Sequence, residues 1–233
     1  MKNAVLITAA TKRIGLALTK HSLEKGLAVI AHYRTSASPL KSWLSRNPKY
    51  KKNTFFIKSD LQYSTNNIIK ESLGFGVNLV GLINNASTFS KGNLTNFNNF
   101  NDSLNINALI PLELSTLFYK NIKEGWIINI TDANIKPLNK NFQNYRISKI
   151  LLTELTKQLA LSYAPKIRVN AIAPGAVLQA PNSNKNIYNK IKKSTPLPSK
   201  NLLDTVLNAY DFIRENKNIT GQTIFADSGR HLQ

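Results

Sequence analysis

The sequence predicts an α/β protein, a doubly wound parallel sheet of about seven strands with helices on both faces. Three observations carry that prediction. Short runs rich in Val, Ile and Leu recur along the whole chain, and amphipathic stretches lie between them. The runs are also continuous rather than alternating, as strands buried on both faces are. They read as "AVLIT" (Ala4–Thr8), "AVIAHY" (Ala28–Tyr33), "TFFIKSD" (Thr54–Asp60) and "LVGLINNA" (Leu79–Ala86). "WIINIT" (Trp126–Thr131), "IRVNAIAP" (Ile167–Pro174) and "QTIFAD" (Gln222–Asp227) follow. Helices are expected over Arg13–Glu24, Asn105–Lys120, Tyr145–Tyr163 and Leu202–Glu215. In the third, Ile147, Ile150, Leu151, Leu155, Leu159 and Leu161 recur with a period of about 3.6 residues. Such alternation builds an open sheet of the Rossmann type.

With 233 residues, 42% of them hydrophobic, the chain can build one full core, and 1–233 reads as a single domain. No apolar run approaches the roughly 18 residues that span a bilayer. The first strand begins at Ala4, which leaves no room for a signal peptide. The absence of cysteine excludes disulfides and thiolate catalysis and fits a reducing cytoplasm. His21, His32 and His231 are too widely spaced to suggest a metal site. The formal charge of +19 comes from scattered lysines in an asparagine-rich chain, without a nucleic-acid motif. It reads as a positive field that draws in an anionic cofactor or substrate, with neither nucleic acid nor membrane as partner. One long irregular stretch, Gly175–Lys200, is polar and bracketed by prolines. It follows the carboxyl end of a strand, where open α/β sheets bind ligands, and is expected to form a substrate lid.

The first strand runs into the first helix through "TAATKRIG". A dinucleotide loop at this junction uses glycines for a tight turn, for backbone approach to pyrophosphate and for helix–strand packing. Only Gly15 remains, placed for the packing role. Ala9 is small enough for the turn provided its φ stays negative. Arg13 blocks bare backbone approach, yet its guanidinium can bind a phosphate directly. Taken alone, the loop fits a dinucleotide site and a structural turn equally well. The tail of the second strand says more. Sites for NAD place an acid there; this chain has Arg34, Thr35 and Ser36, the chemistry of a site for NADP.

Tyr145 and Lys149 stand four apart in "NYRISKILL", on one face of a helix. A neighbouring ammonium stabilises a phenolate, so the pair is expected to make Tyr145 a workable general acid for a C=O or C=N bond. Asp132 ends "WIINITD" thirteen residues before Tyr145, and Ser87 closes "INNAS". Asn107 lies inside an otherwise apolar helix, and Pro174–Gly175 marks another strand end.

This ordered set resembles the short-chain dehydrogenase/reductase family across essentially the whole chain. The family implies a nicotinamide cofactor and an Asn–Ser–Tyr–Lys tetrad. Asn107, Tyr145 and Lys149 match it, while Asp132 occupies the serine position. That departure, with Lys12–Arg13–Ile14–Gly15, "NNAS" and Phe89, is similar to the pteridine reductase subgroup. "YRT" and the tail "DSGRHLQ" look like those of bacterial dihydromonapterin reductases. Carried over by motif, the resemblance implies NADPH held by Thr8, Lys12, Arg13, Ile14, Tyr33, Arg34, Thr35, Asp60, Leu61, Asn85, Ala86 and Ser87. Tyr145, Lys149, Pro174 and Gly175 complete that set. It implies a dihydropterin substrate, reduced at C6 by hydride and protonated at N5, and bound by Arg13, Ser87, Phe89, Asp132 and Tyr145. It also implies a homotetramer built partly through Asn105–Lys120 and Tyr145–Tyr163. A generic carbonyl reductase and a catalytically idle NADP-binding regulator are the competing expectations. Ala9, and Ser228 in place of a glycine of the usual "DGG" tail, favour the latter.

Overall fold

The computed structural model describes residues 1–135, 140–178, 186, 188–189, 193–197 and 201–233. Its strands are β1 (Asn3–Ile7), β2 (Ala28–Tyr33), β3 (Thr54–Lys58), β4 (Asn78–Asn84), β5 (Gly125–Ile130), β6 (Ile167–Pro174) and β7 (Thr223–Ala226). They form one seven-stranded sheet in the order β3-β2-β1-β4-β5-β6-β7. Every pairing is parallel. The order reverses between β1 and β4, so the carboxyl ends of those two strands flank a crevice where such sheets take their ligands.

Alternate residues of each strand feed opposite cores. Val5, Ile7, Val29, Ala31, Ile83 and Ile128 pack beneath Leu18 of α1 (Arg13–Glu24), Leu40 of α2 (Ser38–Arg46) and Tyr210. Ala4, Leu6, Ala28, Ile30, Leu82 and Ile127 pack on the other face, against Ile68 of α3 (Leu61–Gly74). Phe118 and Leu159 complete that layer, from α5 (Ile110–Asn121) and α6 (Gln143–Tyr163). Both faces are covered, which is why the strands carry continuous apolar runs.

Two strands, β3 and β4, end two residues earlier than the sequence suggests, each because a polar group claims the backbone. Asp60 leaves β3 to cap α3, its carboxylate accepting from the Gln62 N–H at 3.1 Å. Asn85 and Ala86 leave β4 because both their N–H groups donate to Thr8 Oγ1 at 2.9 Å. The expected helix Asn105–Lys120 is broken up as well. It is preceded by α4 (Phe97–Leu104), opens with a π-turn over Asn105–Leu109, and continues as α5. Pro111 has no N–H to give the carbonyl of Asn107, so the regular bonding pattern cannot run through that residue. Leu202–Glu215, here α7, and α1 fall where expected. α2, α3 and α4 were not among the helices expected. Most of the predicted lid lies outside the described residues. Of its described part, Tyr188 donates to the Val177 carbonyl, and the Leu197 N–H donates to that of Ser228.

Gly81 interrupts the apolar run of β4 for a packing reason. It pairs in register with Trp126 of β5, and a Cβ there would overlap the indole ring, which is buried. Gly81→Ala should lower stability by about 1–3 kcal/mol through overpacking, read as a lower denaturant midpoint at unchanged slope.

Candidate active site

The β1–α1 loop adopts the glycine conformation without the glycines. Ala9 has φ 51° and Arg13 φ 52°, both left-handed. Ala9 therefore does not keep the negative φ expected of it. Its carbonyl oxygen fills the space where a Cβ on residue 15 would stand, so Gly15 does serve the packing role. The loop is strapped to β4 through Thr8 and Asn85. Asn85 Nδ2 donates to the carbonyls of Thr8 at 2.9 Å and Ala9 at 3.2 Å. Both residues thus lie behind the cleft and shape it. Ile14 packs towards the core. Arg13 reaches the segment after β6, its guanidinium donating to the Leu178 carbonyl at 3.1 Å. No side chain caps α1 at Lys12, so the amino end of the helix keeps its affinity for anions.

A pocket of about 250 Å³ opens beside the loop, at the carboxyl ends of β1, β2 and β4. Eight residues expected in the cofactor site line it: Lys12, Tyr33, Arg34, Thr35, Asp60, Leu61, Ala86 and Ser87. Lys12 Nζ lies 3.4 Å from Thr35 Oγ1. Arg34, 62% exposed, leans toward Asp60 at 3.8 Å, a solvated pair of little energetic weight that leaves the guanidinium able to turn to a ligand. Ser36, read with Arg34 and Thr35 at the β2 tail, lines it too, whereas Thr11, Gln62, Thr88 and His32, which also face the pocket, were not foreseen as site residues. His32 is buried, and desolvation holds its imidazole below the usual value.

The tyrosine–lysine half of the site lies beyond Ser87. Tyr145 Oη donates to Asp132 Oδ2 at 2.7 Å, and the Asn134 N–H donates to the other carboxylate oxygen at 2.7 Å. Lys149 does not bond the phenol; its Nζ donates to the Ile130 carbonyl at 2.8 Å. Burial, with the Asp132 charge and hydrogen bond in support, pushes the Tyr145 phenol well above its ordinary value. The phenol therefore keeps its proton in the ligand-free site, with the Lys149 ammonium nearby but not bonded to it. Burial brings Lys149 down to about 8, against the opposing pull of Asp132.

Asn107 sits in the π-turn, fully buried, with every side-chain group engaged. Its Oδ1 accepts from Ser87 Oγ at 2.9 Å and the Thr88 N–H at 2.8 Å. Its Nδ2 donates to the Thr88 carbonyl at 3.0 Å and Ser148 Oγ at 2.9 Å. Asn107 therefore fixes the chain after β4 against α6. Phe89, 57% exposed, stacks on Phe142 at 4.6 Å and meets Tyr145 edge-on at 4.7 Å. Phe142 was also missed; its place three residues before Tyr145 was the available signal. On the far side, Gly175 lies against Asp227, where a Cβ would crowd the Asp227 backbone. Ser228 takes φ 59°, again a glycine's conformation in a residue that has a side chain.

An open parallel sheet with a phosphate-loop turn, a basic β2 tail and a tyrosine–lysine helix defines a nucleotide-binding α/β oxidoreductase. The chain belongs to the short chain dehydrogenase family, whose model matches residues 3–190. It is 24% identical over 240 residues to dihydromonapterin reductase of Escherichia coli strain K12, covering 98% of this chain and 97% of that protein. The FolM alternative dihydrofolate reductase 1 of Brucella canis, solved with NADP, superposes with a TM-score of 0.92 at 28% identity. That match covers 99% of this chain and 94% of the other. The Brucella suis protein of the same name, also with NADP, gives 0.92 and 28%, over 99% and 95% of the two chains. No helix among the described residues is long and apolar enough to cross a membrane.

Lys149 carries a direct electrostatic prediction. In labelled protein its ammonium should titrate near pH 8, and in Asp132→Asn lower still, because only desolvation then acts on it. NMR of the lysine side chain reads both values.

Proposed function

We propose that this chain is an NADPH-dependent pterin reductase, converting a 7,8-dihydropterin to the tetrahydropterin. The observation that carries this reading is the Asp132 carboxylate, 2.7 Å from the Tyr145 hydroxyl, where the family's usual pattern has serine. An anion there would oppose the negative charge that develops on a carbonyl oxygen during reduction. A pterin instead presents ring N–H and amino donors, which a carboxylate accepts. The names of the similar proteins, a dihydromonapterin reductase and dihydrofolate reductases, support the same substrate class.

The donor set suits NADPH. Lys12, Arg34 and Thr35 converge on one pocket with the chemistry of a ribose-phosphate site. Arg13 and the uncapped start of α1 favour the pyrophosphate. Bound there, NADPH supplies the hydride that adds to C6 of the dihydropterin. Tyr145 gives the accompanying proton to N5, directly or through one water, and hydride and proton together saturate the C6=N5 bond. Asp132 orients the phenol, accepts pterin donors and passes a replacement proton from solvent. Lys149 places its charge beneath this pair, where it favours negative charge that develops on the phenol oxygen. Phe89, backed by Phe142, stacks on the pterin ring, and Ser87 and Arg13 bond its edge or the cofactor phosphates. Exposed Leu109, Ile150 and Leu161, on the π-turn and α6, favour self-association through these segments as a homotetramer.

Purified protein should oxidise NADPH in preference to NADH when given a dihydropterin. Tyr145→Phe should reduce kcat by about a hundredfold or more while NADPH still binds. Brisk turnover of simple carbonyls with none of dihydropterins would overturn the substrate reading; unchanged kcat in Tyr145→Phe would remove Tyr145 as the acid.

A further inference from the structure

Ala9 has a side chain that its backbone does not favour. Its φ of 51° belongs to the left-handed region, which glycine enters freely and alanine does not. Something outside the turn must hold it there.

Three hydrogen bonds converge on this point. The Ala9 N–H points at Nδ1 of His32, 3.4 Å away. The next amide, Ala10 N–H, donates to the His32 carbonyl at 2.8 Å. The Ala9 carbonyl accepts from Asn85 at 3.2 Å. His32 thus grips two successive amides of the loop, one with its ring and one with its main chain. Its other ring nitrogen, Nε2, lies 3.0 Å from the Ser59 carbonyl. A carbonyl only accepts and a peptide N–H only donates, so the partners fix the tautomer. Nε2 carries the proton, and Nδ1 offers Ala9 a bare lone pair. The ring links the carboxyl ends of β1, β2 and β3 at one wall of the pocket.

We propose that His32 is the positioning residue of the phosphate loop: its ring, anchored on Ser59, holds Ala9 in the left-handed turn and so sets the loop for the dinucleotide. The inference rests on the reading of this cleft as an NADPH site. It gives a specific role to a residue that the sequence presents as one more buried position of β2. It also explains how the chain keeps a glycine-type turn after losing the glycine. A ring that merely filled space would be replaceable by an apolar side chain of similar size, with no dependence on residue 9.

The test is a double-mutant cycle. NADPH dissociation constants and ligand-free melting midpoints would be measured for His32→Leu and His32→Asn, each with Ala9 and with Ala9→Gly. Asparagine puts an acceptor near the position of Nδ1, whereas leucine removes both ring bonds. His32→Leu should weaken NADPH about tenfold, the worth of a lost hydrogen bond, and His32→Asn clearly less. With Ala9→Gly, the leucine effect should shrink to about twofold or less, because glycine holds the turn unaided. Equal losses in both backgrounds, or asparagine as damaging as leucine, would overturn the role of His32 and leave the cofactor site standing. Failure of wild type to bind NADPH would overturn the cofactor reading instead. The melting midpoints would then decide the clamp by themselves: non-additivity supports it, and additivity rejects it.

Discussion

The hydrogen bond from Tyr145 to Asp132 brings together the end of β5 and the start of α6, and much of the site is arranged to keep it. The phenol is buried and faces a carboxylate, so both burial and charge hold its proton in place. Lys149 lies on the same helix face but is anchored on the Ile130 carbonyl, where it acts on the pair through space. Asn107 keeps α6 in position from the opposite side, through Ser148 and the chain after β4. A lone tyrosine–lysine pair could have served many reductions. Under the proposed function, the added carboxylate favours a substrate that has donors to offer it.

The nucleotide half of the site rests on a different constraint, backbone shape. Ala9, Arg13 and Ser228 all stand in left-handed conformations, each costing on the order of 1–2 kcal/mol relative to an ordinary one. Such strain survives only where the surroundings over-determine it. Around Ala9 those surroundings are on view: His32 and Asn85 hold its two polar ends, and Gly15 leaves room for its carbonyl. At Arg13 the residue that strains the turn is itself tied down, its guanidinium donating to the Leu178 carbonyl.

Much of this was legible in the sequence. Continuous Val/Ile/Leu runs mark strands covered on both faces, and all seven were placed within a few residues. Spacing puts Tyr145 and Lys149 on one helix face and the strand pattern puts Asp132 at a carboxyl end, and the structure brings Tyr145 and Asp132 together at 2.7 Å. What failed did so for physical reasons. The π-turn at Asn107 follows from a proline four residues on, whose effect is hidden inside an apolar helical pattern. The conformation of Ala9 could not be read from its size, because tertiary hydrogen bonds overrode its local preference. His32 and Phe142 act through contacts with residues distant in sequence or across the loop, which leave no periodic signal. The partners of the pair were not legible either, because spacing shows that Lys149 is near but not that Asp132 takes the phenol's hydrogen bond and the Ile130 carbonyl that of the lysine.

The central claim is that burial, with the Asp132 carboxylate in support, holds the proton on Tyr145. The most direct measurement is a pH titration of Tyr145 by NMR in protein labelled at the tyrosine ring carbon that bears the hydroxyl. The account predicts no ionisation of Tyr145 through pH 10, and a downward shift in Asp132→Asn. Ionisation of the wild-type phenol near neutral pH, or no shift on removing the Asp132 charge, would contradict it.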